Sequence, residues 1–473
     1  MISNLFTKAK SNHLVKNSFV FFVGSLVASA FSYLFHMCMG RMLSVAEYGE
    51  LQSLISIYMI IFLPSTALTL VVTRFSSHNY RLEEFYKVKF FFKKITKSFI
   101  LASCLVSLSL IVFCKQIASF LQLSSPLEVV VFSLVFLFLF LLAVNKGVLQ
   151  GFHFFKDLSW VVVLETSSKF IFGVLLVWFG WKIYGAIWAI VIGFAVSYLY
   201  SFLPLRRIFN KNRRDNSSTE ESSCASFVRR SSAGGRRDCG GAEKNADATK
   251  VSDAQRGAGH LRLDDELKDL TKYAMPVVFS LLGVASLLSF DVILAKHYFT
   301  PELAGAYGGL AIIGRVIYFA AAPLSGVLFS ISSRQHKDGE NYQNSFLLSF
   351  VLTLAVGACA IFGYFLFPRL IIQTILGGKY IGVAGYLGWY AVAITMLSLV
   401  NLLVNFLLSI RMTKCVYFVL FGVLLQIVGI AVWHKNIWQF IFISNAVLFL
   451  TLVFLFLYFF SYEKHTWRSC FNR

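Results

Sequence analysis

The stretch LEVVVFSLVFLFLFLLAVNKGVLQGFHFFKDLSWVVVLETSSKFIFGVLLVWFG, residues 127–180, decides the fold class. Two apolar runs, 127–144 and 158–180, flank a short polar connection, and each run approaches the roughly 20 residues that a membrane-spanning helix needs. The same ruler, moved outward in both directions, finds further runs at 18–40, 51–72, 98–114, 183–204, 274–297, 306–331, 346–367, 386–410, 415–433 and 437–460. Backbone hydrogen bonds in lipid must close within each segment, so runs of this length predict helices, whereas barrel strands would be about half as long and alternating. Composition agrees. The 473 residues are 57% hydrophobic and 14% charged, far below the roughly one quarter charged of a soluble domain. The chain reads as an all-α polytopic membrane protein with about twelve transmembrane helices.

Lysine and arginine fix the orientation. With the N-terminus in the cytoplasm, 34 of the 43 basic residues fall on the cytoplasmic side, 7 at or beyond the outer ends of the spans, and only Lys169 and Arg315 lie deep within spans. Both termini are therefore expected in the cytoplasm, and the net charge of +20 is a topology signal rather than a nucleic-acid footprint. Ala28-Ser29-Ala30 imitates a signal-peptidase site, but apolarity continues past it, which predicts an uncleaved first helix. The eight cysteines show no CxxC or Cys/His grouping, so neither a metal site nor a disulfide framework is expected.

Residues 206–268 differ from the rest. They are rich in Ser, Gly, Arg and Asp and nearly free of large apolar residues, which predicts a disordered basic cytoplasmic linker. It separates an N-terminal six-helix bundle, 1–205, from a C-terminal one, 269–473. GRMLSVAEYG at 40–49 parallels AKHYFTPELAG at 295–305 with one gap, and Pro64, Arg74 and Asn145 parallel Pro323, Arg334 and Asn405. A pseudo-two-fold repeat about an axis along the membrane normal is a transporter plan, with the site in a central cavity between the halves.

Charges inside spans are costly and mark function by default. Glu165 and Lys169 stand one helical turn apart, either as a self-neutralising pair or with Lys169 facing a cavity. Arg315 is similarly deep in the other half, and Asp291 either pairs with it or, with Glu165, holds a coupling ion. Polar stripes containing His36 on the first helix, and Asn401 and Asn405 on the tenth, line a pore or serve helix packing. No nucleophile elbow, zinc-binding HExxH or phosphate-binding loop is present, the outer loops are short, and no cofactor or enzyme activity is expected.

Four segments carry a family resemblance: GRMLSVAEYGELQSL (40–54), NKGVLQGFHFFKDLS (145–159), FDVILAKHYFTPELAGAYGGL (290–310) and GGKYIGVAGYLGWY (377–390). Together the chain resembles the polysaccharide-biosynthesis, Wzx-like flippases of the multidrug/oligosaccharidyl-lipid/polysaccharide exporter superfamily. The resemblance implies two six-helix bundles in a V around a central cavity. It also implies movement of a polyprenyl-diphosphate-linked oligosaccharide across the inner membrane, with glycan-assembly enzymes as partners beside membrane lipids. Arg315, Lys169 and Arg41 fit the basic residues that such a cavity uses. A cation-coupled small-molecule exporter and a membrane-embedded glycosyl polymerase are the alternatives.

Overall fold

The computed structural model describes residues 13–81, 85–231, 275–338 and 342–471, and every regular element among them is helical. The first half contains α1 (His13–Met42), α2 (Val45–Arg81), α3 (Phe85–Val112), the short α4 (Cys114–Phe120), α5 (Pro126–Gly151), α6 (Phe155–Leu176) and α7 (Lys182–Ser231). The second contains α8 (Met275–Tyr298), α9 (Pro301–Asp338), α10 (Gln343–Leu366), the short α11 (Pro368–Ile375), α12 (Leu387–Ser409), α13 (Cys415–Val432) and α14 (Ile437–Phe471). Ten described stretches are long and apolar enough to cross a membrane; one of them, Phe155–Arg207, contains α6 and the first half of α7. With α2 added, the arrangement is consistent with twelve crossings, and the protein is a multi-pass membrane protein.

Local chemistry sets the helix starts. Ser44 and Glu47 form a reciprocal cap at the head of α2: Ser44 N–H and Oγ donate to Glu47 Oε2 at 2.9 Å each, and Glu47 N–H donates to Ser44 Oγ at 3.2 Å. Ser125 caps α5, accepting from Leu127 N–H at 3.3 Å. Proline opens α5, α9 and α11, where its missing N–H would have had no helical partner. Between α6 and α7 the chain reverses at Gly180, whose φ of +88° suits a residue without Cβ.

The repeat read from sequence is a repeat of packing. In the first half α1 lies on α6, α2 and α3 lie on α5, and α7 covers α5 and α6. In the second half α9 and α10 lie on α12, and α14 covers α12 and α13. Gly283 of α8 meets Val419 of α13, completing the match with α1 and α6. Each half places a short helix, α4 or α11, directly after its third span. Those third spans are the outermost, with only 11% of each apolar window buried, so they face lipid in both halves.

The halves join through α2 and α9. At the end bearing residues 41–45 and 298–301, a Cβ on Gly305 would stand 1.8 Å from the Val45 carbonyl oxygen, and one on Gly49 would stand 2.7 Å from Gly305 Cα. Only glycine allows backbones so close. These glycines are partners in the sequence repeat, so they mark where the pseudo-axis passes. Around them Arg41 donates to the Thr374 carbonyl, Lys379 donates to the carbonyls of Arg41 and Leu43 at 3.2 Å, and the Tyr48 and Tyr380 rings meet edge to face. This is the closed end of the molecule. In the predicted orientation it is the outer end.

Helix lengths depart from the sequence reading in two places. The fourth span runs on to Gly151, so Asn145 and Lys146 are helical residues rather than loop residues. Helix α7 continues to Ser231, into the segment expected as a linker from 206, while 232–268 lies outside the described residues.

Candidate functional site

Arg315 stands fourteen residues into α9, about 21 Å along it at 1.5 Å per residue, and is 1% exposed. Its Nη2 donates to Ser56 Oγ of α2 at 3.2 Å and to the Leu288 carbonyl of α8 at 3.0 Å, so one guanidinium bridges the two halves. Its Nε and Nη1 have no hydrogen-bond partner. The partner weighed for it, Asp291, is engaged elsewhere. Asp291 Oδ2 accepts from Tyr390 at 2.8 Å and Tyr307 at 3.0 Å, and Oδ1 accepts from the Val292 N–H at 2.8 Å. Asp291 and Arg315 feel each other electrostatically but form no direct ion pair.

Lys169 also stands fourteen residues into its helix, α6. The turn-spaced pairing with Glu165 is not what forms. Glu165 is 2.6 Å from Lys146 of α5, which leaves Lys169 to donate to Ser32 Oγ at 3.1 Å and to sit 4.8 Å over the Phe35 ring. A cation over an aromatic face keeps its charge available to an anion. Lys169 is half-buried, whereas Arg315 is sealed. His36 is buried within electrostatic reach of both, and its Nδ1 lies 3.2 Å from Gln52 Nε2 of α2.

The remaining sequence candidates scatter. Asn401 donates to Ser325 at 3.3 Å, tying α12 to α9, and Asn405 donates to Asn401 Oδ1 at 3.1 Å and its carbonyl at 2.8 Å. Asn145, their counterpart in the first half, likewise donates to Ser201 at 2.7 Å. Arg41 lies exposed at the closed end, away from the deep cations. Residues unmarked by the sequence complete the picture: Lys146 neutralises Glu165, the Tyr307 and Tyr390 hydroxyls hold Asp291, and Gln52 orients His36. Lys146 was hidden by ending the fourth span at 144, and the tyrosines by lying in apolar runs. Among the described residues no His, Cys, Asp or Glu grouping could hold a metal ion.

The arrangement is electropositive at depth. Both deep acids are bound to other groups, and neither deep cation has a carboxylate partner. Such a site suits an anion with several oxygens.

Comparison with known proteins supports the resemblance. Residues 14–231 match the family described as polysaccharide biosynthesis protein. No curated protein matches the chain. Among solved structures, an inward-facing conformation of a multidrug resistance MATE family transporter of the MOP superfamily aligns with a TM-score of 0.67 at 9% identity, over 93% of this chain and 99% of that one. The lipid II flippase MurJ, in an inward closed conformation, aligns with a TM-score of 0.63 at 14% identity, over 93% and 87%. An outward-facing conformation of a multidrug resistance MATE family transporter gives 0.55 at 12% identity, over 97% and 98%. The fold is that of MOP superfamily transporters.

Proposed function

We propose that this protein is a flippase that moves a polyprenyl-diphosphate-linked oligosaccharide, or a related polysaccharide precursor, across the inner membrane by alternating access. The observation that carries this reading is the pair of deep cations without carboxylate partners, one in each half, beside acids that are already engaged. A diphosphate brings about two negative charges and several acceptor oxygens, which Arg grips bidentately and Lys meets as a point charge. An exporter of organic cations would need the opposite sign at this depth. The family match over the first half supports a polysaccharide precursor as cargo, and the fold supports transport rather than catalysis.

In this reading the cargo's anionic head enters from the cytoplasmic side and meets Lys169 first. Arg315 lies behind it at the contact of the halves and becomes reachable as α2 and α9 part. His36, within electrostatic reach of both, supplies a further polar contact, and Asn401 and Asn405 stiffen the second half around the path.

The test is flipping of a polyprenyl-diphosphate oligosaccharide in proteoliposomes. Arg315→Gln is expected to abolish flipping while the protein still inserts, and Asp291→Asn added to it is expected to restore nothing. Full recovery in that double variant would mean that Arg315 only balances Asp291, and would overturn the assignment.

A further inference from the structure

At the closed end, a cluster of charges lies apart from the deep cations. Glu50 of α2, Glu128 of α5 and Lys296 of α8 are 3%, 0% and 1% exposed. Lys296 Nζ reaches across from the second half to within 3.8 Å of Glu50 Oε1. That oxygen also accepts from the Ser124 N–H at 3.1 Å and its hydroxyl at 2.8 Å. Glu50 Oε2, both oxygens of Glu128 and Lys296 Nζ have no hydrogen-bond partner. Glu128 is in electrostatic contact with Glu50, Lys296 and Glu47, and Lys296 with Glu302 of α9. The neighbouring His297 ring contacts the Phe120 carbonyl of α4 at 2.8 Å, and Lys182 of α7 lines the cavity that Glu128 borders.

Two buried carboxylates against one ammonium leave one negative charge unbalanced, and acidic neighbours add to it. Like charges confined at low dielectric cannot all ionise. One positive charge is missing, and no His, Cys, Asp or Glu grouping among the described residues could hold a metal ion, so a proton is the counter-charge that fits. We propose that the Glu50–Glu128–Lys296 cluster is a proton-binding site that exists only while this end is closed. One carboxyl, that of Glu128, takes up a proton as Lys296 docks on Glu50, becoming a neutral hydrogen-bond donor. When the halves part, Lys296 withdraws with the second half and water reaches the carboxylates; their regained solvation outweighs the lost ammonium, and the proton leaves to solvent. Glu128 borders a cavity of 570 Å³ shared with Ser124, Ser125 and Lys182, the side from which water would arrive.

The sign follows from linkage. The closed state binds one more proton than the open state, so its population rises as pH falls, by up to about tenfold in the closed-to-open ratio per pH unit. The proposal rests on the reading that the halves separate at this end, but not on the identity of the cargo.

The experiment is pulsed electron spin resonance between nitroxides attached through Lys115→Cys and Lys435→Cys, one label in each half at this end, in lipid nanodiscs between about pH 5 and 9. The expected result is a short-distance population that grows on acidification. Glu128→Gln, which mimics the protonated acid, should hold the end closed and remove the pH dependence. Lys296→Gln should move the midpoint to higher pH, since two carboxylates without an ammonium hold the proton more tightly. His297→Gln should leave the midpoint in place. A pH-insensitive distance distribution would overturn the proposal, as would an unchanged response in Glu128→Gln. If Glu128→Gln does not insert, an unshifted midpoint in Lys296→Gln overturns it instead. No glycan is present, so failure here leaves the cargo assignment standing, and failure of glycan flipping leaves this site standing.

Discussion

Lys169 and Arg315 occupy the same depth count in their helices, yet their surroundings are opposite. Lys169 lies on α6, at the flank of the first half, half-buried and resting on Ser32 and the Phe35 ring. Arg315 lies on α9, at the contact between halves, sealed and tied to Ser56 across that contact. They are not repeat mates, since one sits on the fifth span of its half and the other on the second. The difference separates two tasks that one word, cation, conceals. A partly buried ammonium is the nearer of the two for cargo in the present conformation. A sealed guanidinium with two idle nitrogens can act only after the halves move, so the cargo's charge would be passed between them rather than held by both at once.

That comparison can be broken outright by access. Lys169→Cys is expected to react with a small water-soluble thiol reagent in the closed-end state, and Arg315→Cys to be protected; equal reactivity would erase the distinction. Next in size is the loss of flipping. Arg315→Ala should lower it by about 100-fold, because charge-assisted hydrogen bonds contribute about 1.5–3 kcal/mol each, and Lys169→Ala by about tenfold; the reverse order would make Lys169 the principal anchor. The conservative exchanges sharpen the geometry. Lys169→Arg should stay within about twofold of the parent, whereas Arg315→Lys should fall by about tenfold, since a bridging fork is replaced by a point charge. The smallest effect is expected at Arg41→Ala, which removes an exposed contact to a carbonyl and should change flipping less than about twofold, below 1 kcal/mol.

The sequence made the spans legible because lipid leaves a helix so few compositions. It also exposed both deep cations, since a charge in an apolar run stands out. Partners were harder. Turn spacing on one helix allows Glu165 to pair with Lys169, one of two readings open from sequence, but its partner Lys146 comes from the last turns of α5, where a polar Asn-Lys pair suggests a helix end. The sequence leaves Asp291 to pair with Arg315 or to hold a coupling ion, whereas the tyrosine hydroxyls of α9 and α12 are what it accepts from, and only the packing of three helices brings them there. Lys296 reads as an ordinary loop charge until α2 and α5 place two glutamates against it.

The meeting of Gly49 and Gly305 has a mechanical consequence. While this end is closed, backbones in contact at one end of two tall bundles act as a fulcrum, and everything toward the other end is lever arm. A hydrocarbon layer about 30 Å thick converts a relative tilt of about 20° into a gap of roughly 10 Å at the far surface, wide enough for a sugar chain to pass. A methyl group at Gly305 would wedge the fulcrum itself, and so disable a stroke whose amplitude is set far from where the wedge is placed.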